Sequence, residues 1–209
     1  MKNKLGSICI ILGVALLLGA LTLFLINRKE DLAAQQASTD VLTQLVQQIQ
    51  EDTAKEIGAN GADVELQIPV ELLTEEDKKM AELEIDGELY IGYLNMPKIG
   101  MSLPVQSTWS YPKLKISPCR YSGSVRGEDM VIMAHNYTSH FGKISELEPG
   151  DQVIFTDVEG NVIYYQVVTK DVLAPTAVEE MTAGEFDLTL FTCTYGGANR
   201  VTVYCQRTA

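Results

Sequence analysis

The sequence predicts an all-β domain, a barrel or a sandwich, carried behind N-terminal helices. Three observations predict it. From Leu89 onward, short β-favouring runs alternate with turns rich in Gly, Pro, Asn and Asp. From Leu5 to Ile26 no residue is charged and nearly all are apolar. Between these regions, Ser38–Ile57 carries apolar residues at helical spacing.

The apolar run comes first. A helix rising about 1.5 Å per residue over that length crosses a hydrocarbon core of roughly 30 Å. A cleaved signal peptide is the competing reading, but its apolar core is about 7–15 residues long and ends in a small-x-small site. Here the run is longer and ends in Phe24-Leu25-Ile26-Asn27-Arg28-Lys29, which favours a retained anchor. Lys2 and Lys4 flank one end and Arg28 and Lys29 the other, so loop charge gives no vote on orientation. An inside N-terminus and an outside domain are expected from the chemistry below. The expected divisions are 1–30 for the tip and anchor, 31–88 for a helical stalk or linker, and 89–209 for the β domain.

In Ser38–Ile57, Ser38, Thr39 or Asp40 can cap the helix, and Val41, Leu42, Leu45, Val46 and Ile49 share one face. The segment reads as a stalk or as a helix packed on the domain. Gly58-Ala59-Asn60-Gly61 reads as a joint. A second short helix is expected near Thr74, with Glu75, Glu76 and Asp77 favourable in its first turn, ending before the Asp86-Gly87 turn.

Strands are expected at Leu89–Asn95, Val131–Ala134, Gln152–Thr156, Val162–Val172, Phe186–Thr192 and Arg200–Arg207. Asp157-Val158-Glu159-Gly160-Asn161 is a hairpin turn between two of them. Thr194–Asn199, with two glycines, joins the last pair.

A net charge of −12 without a run of Lys and Arg excludes a nucleic-acid partner. Four cysteines are too few for a disulfide scaffold. There is no C-x-x-C pair and only two histidines, His135 and His140, so no zinc site is expected, and no cofactor. Cys9 lies in the apolar run as a packing residue. A Cys119–Cys205 disulfide is the less favoured reading of those two thiols.

Three residues carry candidate chemistry. The apolar stretch Leu188-Thr189-Leu190-Phe191-Thr192 ends in Cys193, where a thiol is both rigidly held and reachable. Taken alone, a buried core cysteine is the commoner outcome. Val131-Ile132-Met133-Ala134 delivers His135 at a strand end in the same way. An imidazolium beside a thiol favours the reactive thiolate. Arg200 opens the strand after Cys193, and a hairpin places it near the thiol. Its permanently charged guanidinium can hold a carbonyl or a developing oxyanion. The alternative for Arg200 is a surface role, with Arg207 as the substitute at the far end of the strand. His140 reads as a loop histidine near the site, and Trp109 as a residue packed on the barrel.

These segments together resemble one family. Thr189-Leu190-Phe191-Thr192-Cys193 resembles the Thr-Leu-x-Thr-Cys signature of sortases, Ala134-His135-Asn136 is similar to their His-Asn site, and Arg200 matches their arginine. Met96-Pro97-Lys98-Ile99-Gly100 and Leu103-Pro104-Val105 resemble the segment after the family's first strand. The likeness runs from about Leu89 to Arg207. It implies a closed eight-stranded β-barrel on a single transmembrane anchor, outside the membrane of a Gram-positive bacterium. It implies cleavage of an LPxTG-like sorting signal on surface proteins through a thioester, and transfer to a cell-wall precursor amine. By position, Cys193 is the nucleophile, His135 the general acid and base, and Arg200 the residue that orients substrate or stabilises the oxyanion, with Thr192 helping to line that site.

The chain departs from the pattern in places. The Cys193–Arg200 loop is short. No Asp precedes a Pro, so the Asp-Pro-aromatic lid of pilus-building members is absent, which favours protein anchoring over pilin polymerisation. Val172–Phe186 lacks a clear long helix. A calcium site cannot be assigned. A thiol protease releasing product to water and a non-catalytic surface β module are the other readings.

Overall fold

The computed structural model describes residues 2–59, 70 and 73–208. The chain divides into two compact units, Met1–Ala33 and Ala34–Ala209.

Helix α1 runs unbroken from Lys2 to Ala59. The sequence suggested separate helical segments. They merge because no Gly or Pro occurs between Gly19 and Gly58, so nothing in that stretch breaks the backbone ladder. Gly58 and Ala59 of the expected joint continue the helix, and residues 60–61 lie outside the described residues. In the first unit Ile10, Leu17, Leu23 and Phe24 are exposed, and the helix is long and apolar enough to cross a membrane. In place of the short helix expected near Thr74 there is a turn. The Thr74 N–H and hydroxyl both donate to the Asp77 carboxylate, which satisfies the local donors within one turn.

Among the described residues, the second unit has nine strands: β1 (Leu83–Ile85), β2 (Glu88–Met96), β3 (Met101–Gln106), β4 (Cys119–Ser122), β5 (Met130–Met133), β6 (Gln152–Asp157), β7 (Val162–Leu173), β8 (Leu188–Cys193) and β9 (Arg200–Arg207). Two short helices, α2 (Tyr111–Leu114) and α3 (Val178–Thr182), interrupt them. The order β2-β3-β4-β5-β8-β9-β7-β6 closes when β6 pairs back onto β2, and β1 stays outside the ring. The second unit is therefore a closed eight-stranded barrel.

Closure is made at one glycine. β1 pairs the first part of β2 up to Tyr90, and β6 pairs the second part from Gly92, with a bulge between. Gly92 has φ 145°, and a Cβ there would lie 2.1 Å from the Thr156 carbonyl oxygen. Only glycine fits where the strand changes partner.

β1, β3 and β4 escaped the sequence reading. β1 is three residues long. β3 contains Pro104, which argues against a ladder position. It is tolerated because β3 meets β4 at only one pair, Gln106↔Cys119, so most of that edge needs no donors.

Leu188 and Leu190 of β8 face the barrel core with Ile132, Val203 and Cys205. Phe191, on the opposite face of β8, packs with Val131 and Met181 of α3. Both faces of β8 are covered, which is why its sequence reads apolar without alternation. Within the same unit, Val41, Leu45 and Ile49 of α1 cover Ile85 and Tyr90. Of the two readings for this helix, the packed one describes the contact. Leu45 is completely buried there. Leu45→Ala is expected to destabilise the barrel by about 2–5 kcal/mol, measured by denaturant unfolding of the full chain in detergent.

Candidate active site

β8 and β9 form a hairpin whose last ladder pair is Cys193↔Arg200. Between them the Thr194 N–H donates to the Asn199 carbonyl at 2.9 Å, and the Asn199 N–H donates to the Thr194 hydroxyl at 3.0 Å. Gly196 and Gly197 sit at φ 82° and 75° in open space, so they are required for backbone conformation and not for room. The loop also holds the arginine. Arg200 Nη1 donates to the carbonyls of Gly197 and Asn199, each at 3.1 Å.

β5 runs parallel to β8, with Met133 opposite Phe191. The Ala134 N–H continues the ladder to the Phe191 carbonyl at 3.3 Å. The buried Thr192 hydroxyl then donates to the Ala134 carbonyl at 2.8 Å. His135 and Cys193 are the next residues after Ala134 and Thr192, so both leave the barrel at the same end. Cys193, His135 and Arg200 are all half-buried. Arg207, the substitute arginine, lies at the far end of β9, roughly 23 Å away at about 3.3 Å per residue.

Beyond His135 the chain turns back sharply. The Phe141 N–H donates to the His135 carbonyl at 3.1 Å, and the Gly142 N–H to the Tyr137 carbonyl at 2.9 Å. A Cβ on Gly142 would lie 2.6 Å from that carbonyl oxygen. A 3-10 helix, Phe141–Glu146, then drives Phe141 and Ile144 into the barrel core. The histidine loop is therefore anchored at both ends.

A cleft of about 150 Å³ opens beside the thiol, lined by Cys193, Thr192, Asn136, Gly142, Ser145 and Tyr195 among others. The thiol is thus reachable from solvent. His135 and Arg200 do not line this cleft. Arg200 is the ladder partner of Cys193, and His135 follows two residues after the last β5–β8 pair. Thr192 forms part of the wall, and its single hydroxyl proton is committed to Ala134.

Sequence reasoning missed Gly142, Ser145 and Tyr195, which line the cleft. Ser145 carries no local signal, since only the fold of the β5–β6 connection brings it to the thiol. His140 is fully buried. Trp109 stacks on Tyr121, whose ring meets Phe191 edge-on. Cys119 and Cys205 are free and buried, and burial pushes both thiols up to about 12. Among the described residues no group of three or more His, Cys, Asp or Glu side chains could hold a metal ion.

A family model described as Sortase domain matches residues 94–208. The chain belongs to the sortase family. Solved sortases share its fold. Sortase A from Corynebacterium diphtheriae is 21% identical with a TM-score of 0.54; the match covers 58% of this chain and 62% of that enzyme, less than two thirds of its length. A Clostridium perfringens Sortase D5 transpeptidase is 16% identical with a TM-score of 0.59, covering 83% of this chain and 99% of that one. A Clostridium perfringens sortase C with the C-terminal cell wall sorting motif is 22% identical with a TM-score of 0.53, covering 81% and 90%. No curated protein matches the chain at a significant level.

The three thiols of this sortase domain differ in access, and a reagent reads the difference. At pH 8, iodoacetamide is expected to modify Cys193 in the folded protein and to reach Cys119 and Cys205 only after unfolding, as read by peptide mass mapping. The two buried thiols keep their protons up to about 12 when folded. In the unfolded chain they ionise near the ordinary value of about 8.5. Their contribution to stability is therefore complete below that value and is lost as pH rises toward 12.

Proposed function

We propose that this sortase is a membrane-anchored cysteine transpeptidase. Residues 1–30 form the inner tip and anchor, residues 31–88 connect, and residues 89–209 act outside the membrane. It cleaves an LPxTG-like C-terminal sorting signal and transfers the protein to a cell-wall amine. The observation that carries the reading is the convergence of three strand ends on one end of the barrel: Cys193 directly across from Arg200, and His135 two residues past the last β5–β8 pair. The motif of the Clostridium perfringens sortase C and the activity of the Sortase D5 transpeptidase support it by analogy.

The chemistry follows from those positions. The Cys193 thiolate attacks the carbonyl carbon of the signal's threonine. Arg200 stabilises the charge that develops on the carbonyl oxygen. The C–N bond breaks, and the leaving amine takes a proton from His135. The thioester then meets an acceptor amine, which loses its proton to His135 as the new amide forms and the thiolate returns. A half-buried thiol beside an open cleft gives both peptide and amine a path to the same sulfur.

The full chain in detergent, incubated with a sorting-signal peptide and an amine such as triglycine, is expected to yield the transpeptidated product by mass spectrometry. Cys193→Ala abolishes it. Arg200→Ala lowers the rate by about 10²–10³. Full activity in Arg200→Ala refutes the role given to that residue, and a product that is only hydrolysed despite added amine favours a protease.

A further inference from the structure

The cleft beside Cys193 is lined by two stretches of chain far apart in sequence. The β8–β9 hairpin supplies Thr192, Thr194, Tyr195 and Val201, and the β5–β6 connection supplies Asn136 and Ser145 among others. Both stretches are held in place. The Gly197 N–H donates to the Thr194 carbonyl at 2.8 Å, so Tyr195 stands on a closed turn. Ser145 follows Ile144, which is buried in the barrel core. The Ser145 carbonyl accepts from Lys170 Nζ at 2.8 Å, and that ammonium is paired with Glu148.

The side chains that these two stretches offer do little for the fold. Tyr195 is 90% exposed, so its ring contributes almost no burial to folding. Ser145 is exposed as well. The cleft is also small and neutral. Its volume of about 150 Å³ is well below the roughly 300–1,000 Å³ of sites that enclose a drug-sized ligand, so a five-residue sorting signal does not fit inside it. Among the described residues, no Asp, Glu, Lys or Arg lines it. Leaving water without a counter-charge disfavours an ammonium and favours the neutral amine. Only the neutral amine has the lone pair that attacks a thioester.

We propose that this cleft is the seat of the acceptor, an uncharged primary amine held between Tyr195 and Ser145 beside the acylated Cys193. The proposal rests on the transpeptidase reading of the site. The amine nitrogen forms the new C–N bond with the thioester carbon. The C–S bond breaks with its electron pair returning to sulfur, and the proton lost by the amine passes to His135. Tyr195 and Ser145 come from the two separate stretches that line the cleft, so changing either alters how well the amine is held. The sorting signal is too long for the cleft and reaches the sulfur from outside it. The two residues therefore act on the affinity for the amine and not on that for the signal peptide.

The test uses the full chain in detergent, with Tyr195→Ala to open the cleft and Ser145→Leu to fill it. Triglycine serves as an α-amine acceptor and Nα-acetyl-lysine amide as an ε-amine one. Each variant is expected to raise the KM for the amine by about tenfold and to move the KM for the signal peptide by less than about twofold. The amine whose KM responds is the source the cleft takes. Binding without turnover is read on Cys193→Ala by nuclear magnetic resonance. Triglycine or the lysine amide is expected to shift the backbone amides of Ser145, Thr194 and Tyr195. At fixed total triglycine the shifts grow as pH rises through the ordinary α-amine value of about 8, because the neutral fraction grows. Unchanged KM for both amines in both variants overturns the proposal, as does an equal rise in the KM for the peptide. Absence of shifts at those three residues, or shifts that shrink as pH rises, overturns it too. A parent protein no more active than Cys193→Ala defeats the transpeptidase reading instead, and the resonances then decide the amine site alone.

Discussion

The parallel pairing of β5 with β8 is the contact on which the candidate site depends. It joins strands whose sequences are far apart, through the ladder from Met130↔Leu188 to Met133↔Phe191. The Thr192 hydroxyl extends it past the last regular pair by bonding the Ala134 carbonyl, a contact spanning 58 residues. Lose that alignment and the imidazole and the sulfur leave the barrel at different heights. Parallel ladders are less stable per pair than antiparallel ones. The covering of β8 on both faces compensates: Leu188 and Leu190 lie in the core, and Phe191 lies under Met181 of α3.

The remaining geometry is local. A short hairpin between β8 and β9 leaves Arg200 no place but opposite Cys193. Its two positive-φ glycines let the loop close tightly enough to present carbonyls to the guanidinium. Across the cleft, the 3-10 helix Phe141–Glu146 buries two side chains in the barrel and so pins the histidine loop from behind. The site is thus held by a long-range ladder, a short hairpin and a core-anchored turn. Each fixes one chemical group, and all three are at one end of the barrel.

Legibility in the sequence followed the range of each interaction. Strands with a strong local signature, β2, β6, β7 and β9, appear where their β-favouring residues and turns put them. Asp157 accepts the Glu159 and Asn161 N–H groups, as expected of a residue that closes a hairpin turn. β4 is four residues long with no alternation, and Pro104 conceals β3, so neither announced itself. The short helix expected near Thr74 reduced to a turn because its capping exchange was not followed by an apolar face worth burying. At the site, Cys193, His135 and Arg200 stood out because their strand-end positions combine, in order, with motifs that resemble those of sortases. Gly142, Ser145 and Tyr195 did not, since their importance comes from what the folded chain puts next to them.

The sequence by itself determined the long apolar helix, most of the strands, and the adjacency of Cys193 and Arg200, because helix continuity, side-chain alternation and hairpin closure are settled by residues close together along the chain. Only the tertiary structure decided that the strand leading to His135 runs parallel beside the strand that ends in Cys193, that Gly92 alone permits β2 to change partner and close the ring, and that Val41, Leu45 and Ile49 lie on Ile85 and Tyr90. Those contacts join segments distant in sequence, and no local pattern encodes which distant partner buries a given face.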